Sequence, residues 1–125
     1  MRRIVLSLLS LLAALALPAM AEKKMTAEEF KEALRAGNVY LLDVREPNEL
    51  EESGAISGYT NIPLGQVEKR LNEIPKGKPI LVYCMRGGRA AQASAILEKH
   101  GYDVMGSCGI IPWKDKGFDT VQPKK

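Results

Sequence analysis

Polar and apolar positions along this chain switch repeatedly between helical and strand spacing. Thr26-Ala27-Glu28-Glu29 reads as a capping box, after which Phe30, Ala33 and Leu34 share one face and Gly37 supplies a stop. Val39-Tyr40-Leu41-Leu42-Asp43 is a short apolar run, which predicts a buried strand. Arg45-Glu46-Pro47 then leads into a short helix starting near Asn48. Residues 54–63 form a glycine-punctuated connection with an extended piece at Thr60-Asn61-Ile62. Val67, Leu71 and Ile74 predict a third helix, closed by Pro75-Lys76-Gly77-Lys78. The clearest strand is Ile80-Leu81-Val82-Tyr83, and the clearest helix covers residues 90–99 before Gly101. Asp103-Val104-Met105 predicts a last strand, residues 112–116 a short helix, and residues 121–125 a loose tail. Short strands alternating with helices predict an α/β domain with a mainly parallel sheet, where ligands bind beyond the carboxyl ends of the strands.

The N-terminus departs from this pattern. Arg2 and Arg3 precede an apolar stretch from Ile4 to Leu17, and Pro18 is followed by Ala19-Met20-Ala21, a small-x-small site. These are the three parts of a secretory signal peptide, predicted here as residues 1–21. The apolar stretch is short of the roughly 20 residues of a membrane span, although an uncleaved N-terminal anchor is the competing reading. Residues 22–125 then form one domain, expected in the periplasm without stable membrane association. Losing Arg2 and Arg3 leaves 16 basic residues against 15 acidic ones. The formal net charge of +3 therefore comes mostly from the signal segment, and no basic stripe interleaved with aromatics points to nucleic acid. No metal-ligand cluster or cofactor motif is present, and the single histidine, His100, reads as a surface or helix-capping residue.

The candidate chemistry lies between the clearest strand and the clearest helix, in Cys84-Met85-Arg86-Gly87-Gly88-Arg89. Two glycines let consecutive amides turn inward, and the helix N-terminus that follows adds to an anion cradle. A cysteine at the centre of such a cradle is favoured as thiolate, the nucleophilic form, and Arg86 and Arg89 add positive charge beside it. This construction suits an anionic cysteine adduct or an anionic substrate. The competing readings are a buried structural cysteine and, for an exported domain with two cysteines, a structural disulfide.

Joined in order, "DVREPNELEESGAISGYTNIPL", "VYCMRGGRAAQASAILEKHGYDV" and "GIIPW" resemble a single-domain rhodanese, a thiosulfate sulfurtransferase. The resemblance runs from Thr26 to about Phe118. It implies a rhodanese fold, a five-stranded mainly parallel sheet with helices on both faces. It also implies that Cys84 takes sulfur from a small anionic donor such as thiosulfate, polysulfide or a persulfide. Cys84 then passes it to cyanide or a thiol, while the amides of Met85, Arg86, Gly87, Gly88 and Arg89 hold the persulfide. Asp43 is implied to orient the loop or end its strand, Arg45 and Glu49 to form a partly buried ion pair, and Trp113 to pack in the core or wall the pocket mouth. Four residues separate Cys84 from Arg89, the sulfurtransferase loop length, whereas phosphatase and arsenate-reductase loops have five.

Two departures stand out. Gly54-Ala55-Ile56 has alanine where the family often has histidine, and Cys108 replaces the first of two glycines before Trp113. If the last strand lies beside the Cys84 strand, Cys108 approaches Cys84 and becomes a candidate to resolve an oxidised Cys84 into a disulfide. The plain alternative is a small buried residue. Competing functions are a thiol-disulfide redox protein using both cysteines and a non-catalytic module on the same fold.

Overall fold

The computed structural model describes residues 23–123; the predicted signal segment and the last two residues of the tail lie outside them. The chain order is α1 (Ala27–Ala36), β1 (Tyr40–Asp43), α2 (Pro47–Ser53), β2 (Thr60–Asn61), α3 (Leu64–Val67), a 3-10 segment (Glu68–Glu73), β3 (Ile80–Cys84), α4 (Gly88–Lys99), β4 (Val104–Gly109) and α5 (Ile110–Asp115). The strands form one parallel sheet in the order β2-β1-β3-β4. Four strands are present among the described residues, where five were expected. A single parallel bridge between Lys24 and Ser107 extends the β4 edge. It is held by Met25 N–H donating to the Ser107 carbonyl at 2.8 Å and Ser107 N–H donating to the Lys23 carbonyl at 2.9 Å.

The central strand explains the two-sided core. Every residue of β3 is buried, so no polar position marks a solvent face. Ile80, Val82 and Cys84 face the layer built by Val67, Ala90, Ala93 and Leu97. Leu81 and Tyr83 face the opposite layer, with Phe30, Ile110 and Trp113. Alternation along the strand produces the division. Phe30 and Ala33 reach that second layer because the Thr26–Glu29 capping box starts α1 in the correct phase. Thr26 Oγ1 accepts from Glu29 N–H at 3.1 Å, and Thr26 N–H donates to Glu29 Oε1 at 3.0 Å.

The largest difference from the expected elements is at β4, which runs through Cys108 to Gly109 instead of ending at Met105. Ile80 aligns with Val104, but Leu81 aligns with Gly106. Met105 is therefore bulged out of the ladder, its side chain exposed. A bulge adds one residue to one strand and inverts the facing of everything beyond it. The predicted third helix also divides, into α3 and a 3-10 segment kinked at Arg70. The expected loose tail is anchored at Val121, whose N–H and carbonyl each exchange a 2.8 Å hydrogen bond with Ala55.

Candidate active site

Sheet order reverses direction between β1 and β3, since β1 continues to β2 on one side and β3 to β4 on the other. Ligands in parallel sheets settle outside the carboxyl ends of strands at such a switch point. Asp43 ends β1 there and Cys84 ends β3. Gly87 has φ 117°, a conformation that glycine adopts without the Cβ penalty, and it turns the loop over the cysteine into α4.

Cys84 is 1% exposed, and its Sγ accepts from Gly87 N–H at 3.0 Å and from Ala90 N–H at 3.3 Å. Two fixed N–H dipoles aimed at one sulfur stabilise negative charge on it with no reorganisation during reaction. Above it is a pocket of about 420 Å³, lined by Cys84, Met85, Arg86, Gly88, Arg89 and Gln92. The sequence identified the loop residues but missed Ala90, whose amide belongs to the first turn of α4. It also missed Gln92, although Gln92 stands one helical turn beyond Gly88 and helical spacing would have found it.

Gly109 holds the loop from behind. A Cβ at this position would lie 2.7 Å from the Arg86 carbonyl carbon and 2.8 Å from Arg86 Cα. Ile111 N–H then donates to the Met85 carbonyl at 3.1 Å. The close approach and the hydrogen bond together fix the backbone that precedes the Gly87 turn.

The expected pairing of Arg45 with Glu49 is not what the structure contains. Arg45 is fully buried and pairs with Asp43, with Nη2 to Oδ2 at 2.6 Å and Nε to Oδ1 at 3.0 Å. Burial opposes the Arg45 charge, but the Asp43 carboxylate more than offsets it and raises the Arg45 pKa. Arg45 meets Glu49 only at the backbone, Nη1 to the carbonyl oxygen at 3.4 Å, and also donates to the Gly54 carbonyl at 2.9 Å. Asn61 Nδ2 closes the cluster by donating to the carbonyls of Asp43 and Arg45.

The Glu49 carboxylate pairs instead with Arg89, at 2.8 and 2.9 Å. The helix decides the exchange of partners. Glu49 is the third residue of α2, so its side chain folds back over the N-terminus, where Oε2 accepts from Glu46 N–H at 2.9 Å. Its carbonyl points the other way, into the buried cluster.

Cys108 sits beside Tyr83 in register, while Cys84 sits beside Gly109. The bulge at Met105 therefore turns Cys108 into the Phe30–Trp113 layer, on the opposite face of the sheet from Cys84. Without the bulge the two cysteines would stand side by side on one face. Both are free and buried, and the expected approach of their side chains is not met. Burial pushes the Cys108 thiol pKa up, the direction of an inert core thiol.

Trp113 packs and does not line the Cys84 pocket. It stacks edge-on against Phe30 and Phe118 and donates from Nε1 to the Asp119 carbonyl at 2.9 Å. His100 caps the end of α4 and is exposed, with Nε2 3.7 Å from a Glu68 carboxylate oxygen. Among the described residues no group of His, Cys, Asp and Glu side chains is placed to hold a metal ion.

Known proteins are similar to this chain in sequence and fold. Residues 26–110 match the model of the Rhodanese-like domain. The chain is 42% identical over 98 residues to the uncharacterized YqhL protein of Bacillus subtilis, covering 75% of this chain and 74% of that one. It is 35% identical over 89 residues to a sulfurtransferase of Allochromatium vinosum, covering 70% and 82% respectively. A rhodanese-related protein from Thermoplasma volcanium superposes with a TM-score of 0.73 at 28% identity, over 81% of this chain and 99% of that one. With a cysteine cradled at the end of the central parallel strand and the family model spanning most of the described fold, the chain belongs to the rhodanese-like sulfurtransferase family.

Proposed function

We propose that this protein is a sulfurtransferase that carries sulfane sulfur through a persulfide on Cys84. The thiolate attacks the outer sulfur of a small anionic donor, such as thiosulfate, polysulfide or another persulfide. A Cys84–sulfur bond forms, the donor's sulfur–sulfur bond breaks, and its electron pair leaves with sulfite or the corresponding anion. The terminal sulfur of the persulfide is then attacked by cyanide or a thiol, which regenerates the thiolate. Two displacements replace one, so ping-pong kinetics are expected.

The observation that carries this reading is the pair of amides, Gly87 and Ala90, aimed at a cysteine sulfur on the floor of a pocket that also presents Arg86 and Arg89. Neither step needs a general base when the attacking sulfur is already anionic, and no histidine lines the pocket. The decisive experiment is intact-mass analysis of the protein after thiosulfate or polysulfide, paired with thiocyanate production from cyanide. A gain of about 32 Da on Cys84, removed by cyanide, is the expected result. No adduct from either donor would sink the proposal in favour of a non-catalytic module.

The reading includes export. The basic, apolar and small-residue segments of residues 1–21 support cleavage after Ala21 and release into the periplasm. N-terminal sequencing of protein recovered from a periplasmic fraction tests this, and an intact Met1 would overturn it.

A further inference from the structure

The charges around the Cys84 pocket do not follow from a count of its arginines. Arg45 is buried away from the pocket and neutralised by Asp43. Arg89 lines the pocket wall, but both of its terminal nitrogens are engaged by Glu49, Nη1 by Oε2 and Nη2 by Oε1. The hydrogen bonds from Arg89 hold the Glu49 carboxyl below the usual carboxylate range. Both partners are therefore ionised at neutral pH, and the pair contributes no net charge. Glu49 is also fixed independently of Arg89. Its Oε2 accepts from Glu46 N–H, and its carbonyl accepts from Arg45.

Arg86 is different. It is exposed, and no carboxylate lies within ion-pair distance of it among the described residues. The other lining side chains, Met85 and Gln92, are uncharged.

We propose that Glu49 is a specificity-determining positioning residue. By neutralising Arg89 it leaves the Cys84 pocket with one uncompensated cation, Arg86, and so narrows the advantage that a second cation would give dianionic thiosulfate over donors with a single negative charge. The donor class that gains from this narrowing is that of monoanionic thiosulfonates. This deepens the sulfurtransferase reading and rests on it. Coulomb energy scales with the product of the charges, so one added positive charge stabilises a dianion about twice as much as a monoanion.

Two donors with the same reacting sulfur–sulfur bond and different charge make the test. Thiosulfate, a dianion, gives the Cys84 persulfide and sulfite; methanethiosulfonate, a monoanion, gives the same persulfide and methanesulfinate. Glu49→Gln keeps the side-chain shape and an acceptor for Arg89 while removing the negative charge. The expected result is a rise in kcat/KM of about tenfold for thiosulfate and about threefold for methanethiosulfonate. Equal changes for both donors, or equal losses, would assign Glu49 a purely structural role and overturn the proposal.

Arg86→Gln, a change at an exposed side chain, is the second arm. It should lower kcat/KM by about tenfold for thiosulfate and about threefold for methanethiosulfonate. An unchanged thiosulfate rate would also overturn the proposal. If neither donor loads sulfur onto Cys84 in the unaltered protein, the sulfurtransferase reading falls with it. Loading by both donors with unaltered selectivity in the variants removes this proposal alone.

Discussion

Cys84 and Cys108 close two adjacent parallel strands, one residue out of step, and they meet opposite environments. Cys84 receives two backbone N–H groups at the floor of a pocket. Cys108 faces aromatic and aliphatic side chains, and among the described residues its thiol makes a single 3.5 Å contact, from Sγ to the Gly109 carbonyl. The residue types are identical, and both strand ends lie on the same edge of the sheet. What separates them is the loop beyond each. After Cys84 the chain turns through a left-handed glycine that directs amides at the sulfur. After Gly109 it runs directly into α5, where the Ile111 N–H serves the neighbouring loop instead. For a cysteine at the carboxyl edge of this parallel sheet, the backbone that follows it sets what its sulfur meets.

The largest expected effect isolates this contrast. Cys84→Ser should reduce thiocyanate formation by at least about 1,000-fold, while Cys108→Ser stays within about twofold of the unaltered protein. Comparable losses in both would return Cys108 to the chemistry. Oxidation with peroxide followed by intact-mass analysis sharpens the point. No two-dalton loss is expected in the folded protein, because a Cys84–Cys108 disulfide needs the β4 register beyond Met105 to slip by one residue.

Next in size is the frame beneath the loop. Arg45→Ala leaves the Asp43 carboxylate buried and unpaired, and should cost about 3–5 kcal/mol in urea unfolding. A cost below 1 kcal/mol would mean that water reaches the site.

The two glycines of β4 provide a graded comparison. A Cβ at Gly109 meets Arg86 backbone, which cannot yield without moving the loop, whereas at Gly106 it meets the flexible Met25 side chain. Gly109→Ala should cost about 1–3 kcal/mol and depress sulfur transfer. Gly106→Ala should leave sulfur transfer close to normal, and equal transfer by the two variants would remove Gly109 from the support of the loop.

The smallest effect is alkaline. Burial raises the Cys108 pKa in the folded state above its unfolded value. Its contribution to stability is therefore complete below the unfolded value, about pH 8.5, and is lost as pH rises toward the folded one. Cys108→Ala should flatten that part of the stability curve, measured by urea midpoints between pH 8 and 10. A curve of unchanged shape would place the alkaline loss elsewhere.

Much of this molecule is written locally. The Thr26–Glu29 capping box, the apolar run of β3, the glycine turn and the small-residue helix α4 each depend on contiguous residues. Their backbone preferences act over a few positions, so Cys84 and its cradle could be located without coordinates. Tertiary structure decided three other things. Lys24 pairs with the β4 edge through a single bridge to Ser107, more than 80 residues away, so no local pattern announces it. Glu49 chose Arg89, 40 positions distant, over Arg45, four positions distant. That choice depends on which end of α2 faces the loop and on Asp43 already occupying the buried guanidinium. Met105 bulged, and Cys108 turned away from Cys84. Alternation tells which residues share a face only until a strand gains one unpaired position, and the packing of α5 and the Cys84 loop against the end of β4 fixes where that position falls.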